Sequence, residues 1–203
     1  MRASLKKFSL FVFFIGVIFF FNGCIVWSVN PFYTDDAVIE MPALNGKWQP
    51  IKIALENKSD KAWHFESDTI LTFDKEGEPG SLKAVYFKIG DDIYLDTMPD
   101  DPDETGVGMW WIAHVFPVHT LCKVELSEDK LILRPLSYKW FNDAIEKKII
   151  SLPFSEQEGD DDMIIYYPSA KEWMAFLKTH GKEEGLFSQE DVFEFVKTPT
   201  EKK

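Results

Sequence analysis

The sequence has few of the residues on which most active sites and disulfide frameworks depend. Only two of its 203 residues are cysteine and four are histidine, and arginine occurs only at Arg2 and Arg134. It contains no G-x-S-x-G elbow, phosphate-binding glycine loop, dinucleotide fingerprint, H-E-x-x-H or C-x-x-C. We therefore predict that the protein is not an enzyme, and we expect no catalytic residue, metal or cofactor.

Positive charge is scarce as well. The formal net charge is −12 at pH 7, from 22 basic and 34 acidic residues. A surface of this sign repels nucleic-acid phosphates and anionic lipid headgroups, so we expect no nucleic-acid partner. The acidic runs at residues 100–104 and 160–162 lack the alternating spacing around a glycine that a calcium loop needs, and we interpret them as solvated loops.

The N-terminal segment has the pattern of an export signal. Three basic residues precede an uncharged apolar run over residues 8–21, and Gly23 and Cys24 follow it. This order resembles the signal peptide of a bacterial lipoprotein, in which the cysteine sulfur takes a diacylglyceryl group before cleavage in front of it. The resemblance implies that residues 1–23 are removed and that Cys24 is lipidated.

Two alternatives remain for this segment. The apolar stretch extends to Val29, and about 20 apolar residues suffice to span a bilayer, so an uncleaved signal anchor is the second reading and plain secretion the third. Lipidation and an uncleaved anchor both tie the domain to a membrane in the cell envelope, facing the periplasm or the exterior. Two or more acyl chains, at about 0.8 kcal/mol per buried methylene, are enough for stable anchoring.

The remaining chain is long enough for one domain. Removal of residues 1–23 would leave 180 residues and change the formal net charge to −15, because three basic residues leave with the signal. A lipidated Cys24 would leave Cys122 without a partner, so we expect no disulfide. Cys122 lies in an alternating run over residues 119–126 and is predicted to be a small buried hydrophobe.

From residue 46 onward, apolar and polar residues alternate in short segments bounded by turn residues, which is the pattern of β-strands. Tight reversals such as Gly90 and Asp91 favour an antiparallel meander, closed as a barrel or folded as a sandwich. The predicted strands cover residues 47–54, 61–67, 69–74, 82–89, 92–98, 109–116, 119–126 and 130–136.

Helical spacing follows this meander. We predict a helix over residues 137–149, a ninth strand over 163–167 and a helix over 170–180 that begins with a capping box of Ser169 and Glu172.

A third helix is predicted over residues 192–196, capped by Ser188 and Asp191. The predicted fold class is therefore α+β, an antiparallel β meander of eight or nine strands with C-terminal helices. The expected organisation is a signal peptide (1–23), a lipidated cysteine and tether lying along the domain (24–45), a barrel or sandwich (46–136) and a helical part packed on the same domain (137–203).

A short motif opens the first predicted strand. Gly46, Lys47 and Trp48 resemble the G-x-W of lipocalin-like barrels, and this resemblance implies that Trp48 plugs the closed end while an arginine from the last barrel strand lies across its ring. Arg134, in the last predicted strand of the meander, is the candidate; such a contact contributes about 0.5 to 2 kcal/mol. The alternative is an ordinary core tryptophan and an unrelated surface arginine.

A longer stretch, residues 30–48, resembles the opening of an uncharacterised group of bacterial lipoproteins. The likeness extends through the His114 to His119 region and the helix that carries Trp173. It implies localisation and general architecture, and it carries no catalytic residues.

The best chemical grouping is His114, His119 and Cys122. On a regular strand His119 and Cys122 point to opposite faces, so thiolate activation would need a bulge. Pro117 could bring the two histidine rings together at a metal. We interpret both histidines as structural or solvated instead.

Aromatic residues in the predicted strands suggest a ligand pocket, with Trp63, Tyr86 and Trp110 as candidate lining. An eight-stranded barrel is either filled by side chains or holds one small molecule. The sequence therefore favours a non-enzymatic structural or interaction module of the envelope, with an envelope protein as its partner. The alternative is a lipocalin-like carrier of a small apolar ligand; an enzyme lacks a motif.

Overall fold

A closed antiparallel β-barrel forms the centre of the computed structural model, which describes residues 25–51, 62–73, 79–100, 117–157 and 163–198. The barrel strands are β2 (Gly46–Pro50), β3 (Trp63–Glu66), β4 (Thr69–Phe73), β5 (Pro79–Ile89), β6 (Asp92–Pro99), β7 (Thr120–Leu126), β8 (Lys130–Pro135) and β11 (Phe193–Lys197). Their order around the barrel is β11-β2-β3-β4-β5-β6-β7-β8. Seven of the eight strands of the predicted meander correspond to β2 to β8; the strand predicted over residues 109–116 lies outside the described residues.

The other elements lie against the outside of the barrel. They are β1 (Trp27–Ser28), β9 (Phe154–Gln157) and β10 (Met163–Tyr166), which form a three-stranded sheet with β10 in the centre, and the helices α1 (Tyr138–Glu146) and α2 (Ala170–His180). Both helices and β10 were predicted, so the fold is α+β as expected. Among the described residues, no helix combines the length and the apolar composition needed to cross a bilayer.

The start of α2 shows the predicted capping box. The backbone N–H of Glu172 donates to Ser169 Oγ at 3.4 Å, and the backbone N–H of Ser169 donates to Glu172 Oε2 at 2.7 Å. Ser169 Oγ also donates to Glu172 Oε2 at 2.7 Å. The hydrogen bonds that the Ser169 hydroxyl and backbone N–H donate to the Glu172 carboxyl hold its pKa below the ordinary value.

The prediction of a third helix over residues 192–196 is wrong, because Phe193–Lys197 forms the barrel strand β11. The expected contact at its start exists: the backbone N–H of Asp191 donates to Ser188 Oγ at 2.9 Å. It closes a local turn, and the chain then pairs antiparallel with β8 on one side and β2 on the other. The open edges of β2 and β8 offer hydrogen-bond partners that a single isolated helical turn lacks.

The barrel wall separates two cores. Alternate residues of each strand face inward or outward, so Leu95 enters the barrel core while Tyr94 faces the helices. The outer core joins barrel residues such as Phe87 and Tyr94 to Phe141 of α1 and Trp173 of α2. The helices therefore cover one side of the barrel.

The N-terminal segment, expected as a tether along the domain, packs into both cores over residues 25–45. Val26 and Phe32 are buried in the outer core, and β1 pairs with β10 in parallel. The last turn before β2, a 3-10 turn over Pro42–Leu44, places Leu44 in the barrel core. The chain thus crosses from the outer wall to one end of the barrel.

Candidate functional site

A cavity of about 420 Å³ lies inside the barrel. Seven of the eight barrel strands contribute to its wall, and the residues at the start of α1 cover part of its entrance. The lining side chains are mainly apolar: Ile25, Trp63, Ile70, Leu82, Leu95, Thr97, Thr120, Cys122, Leu133, Pro135, Leu136, Ser137, Tyr138, Lys139, Ser188, Asp191 and Phe193.

One end of the barrel is closed by the segment before β2. Trp48 is fully buried, and its indole Nε1–H donates to the backbone oxygen of Leu44 at 2.6 Å. Lys197 Nζ lies 5.1 Å from the centroid of the Trp48 ring and donates to the backbone oxygen of Ala43 at 2.8 Å. The ammonium group therefore holds the closing segment against the tryptophan.

The expected contact between Arg134 and Trp48 is corrected by this geometry. Arg134 Nε donates to Glu125 Oε1 at 2.7 Å and its Nη1 donates to Gln189 Oε1 at 3.3 Å, on the outside of the barrel. The cation over Trp48 is Lys197, which belongs to β11. The last barrel strand in the chain is β11 and not β8, so the cation comes from the strand that closes the barrel, whereas an arginine of β8 was expected.

The polar groups of the cavity wall are neutral in its interior. Thr97 Oγ1 and Thr120 Oγ1 lie 2.8 Å apart and form a hydrogen bond with each other. Burial raises the pKa of the Cys122 thiol to about 12. Cys122 has some accessible surface, but that surface faces the cavity. At neutral pH the thiol is therefore in its protonated, weakly nucleophilic form.

Of the predicted lining residues, Trp63 lies in the cavity wall, where its ring centroid is 5.0 Å from that of Phe195. Tyr86 belongs to the same barrel core but not to the lining, and Trp110 lies outside the described residues. Within the described part of the chain, the Tyr86 hydroxyl has no hydrogen-bond partner, and burial raises its pKa. Phe193 was missed because its segment was expected to be helical.

A buried polar cluster lies on the outer face of the wall. Asp96 is only 2% exposed; its Oδ1 is 2.7 Å from His119 Nδ1, and its Oδ2 accepts the backbone N–H of Phe32 at 2.9 Å. Nearby, Ser28 Oγ donates to the backbone oxygen of Asn30 and accepts the indole N–H of Trp173. The serine hydroxyl is thus fully used by structural contacts.

This cluster does not extend to the cysteine. His119 contacts Asp96 on the outer face, whereas Cys122 lines the cavity, so the opposite parity of the two residues separates them as predicted. His114, the other histidine of the grouping, lies outside the described residues. Across the ranges that the structure describes, no three His, Cys, Asp or Glu side chains are grouped so as to hold a metal ion.

Comparisons with protein-family models, curated proteins and solved structures found no match to this chain. The cavity and the N-terminal sequence are the two features of this chain that bear on its function.

Proposed function

We propose that this protein is an envelope-anchored, lipocalin-like carrier of a small apolar molecule. The observation that carries the proposal is the cavity inside the barrel, whose volume of about 420 Å³ lies within the range of roughly 300 to 1,000 Å³ typical of ligand sites. An eight-stranded barrel can be filled or hold one ligand. Here, large side chains fill the end around Trp48, and the space beyond Leu95 and Leu133 is hollow.

The chemistry of the wall defines the ligand class. The interior offers aliphatic and aromatic surface, two threonine hydroxyls that already bond to each other and a protonated thiol. A charged group placed there would lose its hydration without gaining a partner. Binding strength should therefore follow buried apolar area, at about 0.8 kcal/mol per methylene, or about fourfold in affinity.

The anchor is the second part of the proposal. Cys24 and the sequence before it supply the signal for lipidation, and a formal net charge of −15 after removal of residues 1–23 disfavours electrostatic binding to anionic lipid. The acyl chains would hold the protein in the envelope. Intact-mass analysis of protein purified from membranes tests this: a bare thiol on Cys24 with the leader already removed would overturn it.

Native mass spectrometry tests the carrier. The sample is a lipid-free form that begins at residue 24 with Cys24→Ser, because Val26 belongs to the outer core and must be kept. We expect a recurrent bound small molecule, displaced by n-alkanols with about fourfold tighter binding per added methylene until the cavity is full.

A pair of substitutions on β8 supplies the matched control. Leu133→Trp places a larger side chain in the cavity and should abolish alkanol binding. Ile132→Trp changes the neighbouring residue of the same strand, which is not part of the lining, and should leave binding unchanged. Equal binding by both variants would reject the cavity as the site.

A second candidate is the structural or interaction module. The observation that favours it is a shallow apolar groove beside α2 that includes Ile149, which is 56% exposed, and Leu152. Absence of any bound molecule and of alkanol binding in the lipid-free protein would favour this reading over the carrier.

A further inference from the structure

We propose that the mouth of the cavity docks on the surface of a lipid bilayer, so that the apolar ligand passes between the barrel and the membrane without crossing water. The inference rests on the proposed function, since it requires both the anchor and the cavity, and it adds an orientation and a route of exchange. The partner it names is a phospholipid surface.

The position of Ile25 carries the inference. Ile25 lines the cavity, is 45% exposed and forms an antiparallel bridge with Ser137, which also lines the cavity. Cys24 is the preceding residue, and consecutive Cα atoms are about 3.8 Å apart. A lipid on Cys24 would therefore leave the chain beside the mouth, with no slack between them.

This placement holds for both readings of the N-terminus. If the signal is not cleaved, a membrane span cannot extend to Val29 as the sequence suggested, because Ile25 lines the cavity and Val26 is buried in the outer core; it must end before Ile25. From Phe21, the last residue of the uninterrupted apolar run, to Ile25 there are four Cα–Cα steps, over which even a fully extended chain spans only about 14 Å. Either form of attachment brings the membrane surface to the mouth.

The chemistry of the mouth fits a bilayer surface. Phe193, at the start of β11, lines the cavity as Ile25 does and is 44% exposed. Lys139 and Asp191 complete the lining there with one charge of each sign, and both are exposed. Apolar side chains beside charged ones that can remain in water suit the boundary between acyl chains and headgroups.

The opposite end of the barrel is identified by its turns. They present Asp91, Glu128 and Asp129 to solvent. The backbone oxygen of Asp129 accepts the N–H of Lys197, the residue that lies over Trp48, which places this turn at the closed end. The mouth end also carries exposed acid, since Asp100 follows directly after β6. The orientation therefore follows from where the N-terminal chain leaves the domain, beside Ile25, and not from a difference in charge between the ends.

The test measures which end of the full-length lipidated protein approaches the lipid. A fluorophore is attached to Lys139→Cys at the mouth or, as the matched control, to Glu128→Cys at the closed end; both positions are exposed. Asp191→Cys repeats the measurement at a second mouth position. Lipidation consumes the Cys24 thiol, and Cys122→Ser in every labelled variant leaves the introduced cysteine as the labelling site.

The labelled proteins are reconstituted into phosphatidylcholine vesicles that contain a nitroxide lipid quencher. We expect at least threefold stronger quenching at positions 139 and 191 than at position 128. Added salt should not reverse this difference, because the contact is mainly apolar. Equal quenching at both ends, or stronger quenching at position 128, would overturn the docking.

Alkanol binding, measured on the same vesicles and on the Cys24→Ser form, separates this inference from the proposed function. Binding by both forms together with equal quenching would leave the carrier intact and reject the docking. Binding by the Cys24→Ser form alone would mean that the acyl chain of Cys24 fills the cavity, which also rejects the exchange route. Binding by neither form would reject the carrier and, with it, the exchange.

Discussion

The buried carboxylate of Asp96 should be one of the most costly side chains to remove. It accepts hydrogen bonds from His119 and from the backbone N–H of Phe32, and it thereby fastens the N-terminal segment to the barrel wall. A hydrogen bond to a charged group is worth about 1.5 to 3 kcal/mol, and breaking a buried polar pair costs about 3 to 5 kcal/mol. We therefore expect Asp96→Ala to lower the free energy of unfolding by about 3 to 5 kcal/mol.

For a domain of this size, each kcal/mol shifts Tm by about 2 to 4 °C, so the expected decrease is roughly 6 to 20 °C. Urea unfolding followed by tryptophan fluorescence measures the free energy directly. The matched control is Asp92→Ala on the same strand, where the carboxylate meets Lys123 at 2.8 Å with more of both side chains exposed. That change should cost about 1 kcal/mol or less. Equal losses in the two variants would refute the reasoning.

Three further changes test the interior and the closed end. Burial raises the Cys122 pKa from 9.0 to about 12, so native protein should react with iodoacetamide at pH 8 roughly a thousandfold more slowly than urea-unfolded protein. The protonated thiol's contribution to stability should be complete below pH 9 and should be lost as pH rises toward 12. A flat profile of unfolding free energy over that window would contradict the burial. Lys197→Met should lower the free energy of unfolding by about 1 kcal/mol in urea titrations, because Lys197 covers the Trp48 ring. Arg134→Met should lower it less, and the reverse order would contradict the placement of Lys197 over Trp48. Tyr86→Phe should leave the free energy of unfolding unchanged or raise it by up to about 1 kcal/mol, because the hydroxyl has no hydrogen-bond partner in the described structure. It should also leave alkanol binding intact, because Tyr86 lies outside the cavity lining. A marked loss of stability or of binding would show that the hydroxyl makes a contact.

Local signals predicted most of the fold. The helix α2 was predictable because Ser169 and Glu172 lie three residues apart at its start, and the box they form depends only on neighbouring residues. The barrel strands were predictable because alternation along a strand reports which side chains face the interior. The inward position of Trp63 follows from the same signal.

Three features could not be predicted in this way. The apolar residues around Phe193 and Phe195 fit a short helix as well as a strand, and only the neighbouring edges of β2 and β8 select the strand. The cation over Trp48 depends in turn on which strand closes the barrel, so the correct residue, Lys197, could not be chosen before β11 was known. The position of Ile25 at the mouth similarly requires the bridge to Ser137.

The amino-acid sequence by itself determined the strand-rich class, the two helices, the acidic charge and the candidate anchor at Cys24, because each of these depends on composition or on residues close together in the chain. Only the tertiary structure decided that the barrel closes through β11, that one end is plugged while the other is hollow, and that the hollow end lies beside Ile25. These features depend on pairing and packing between residues far apart in the chain, and no local pattern specifies which distant edges will meet.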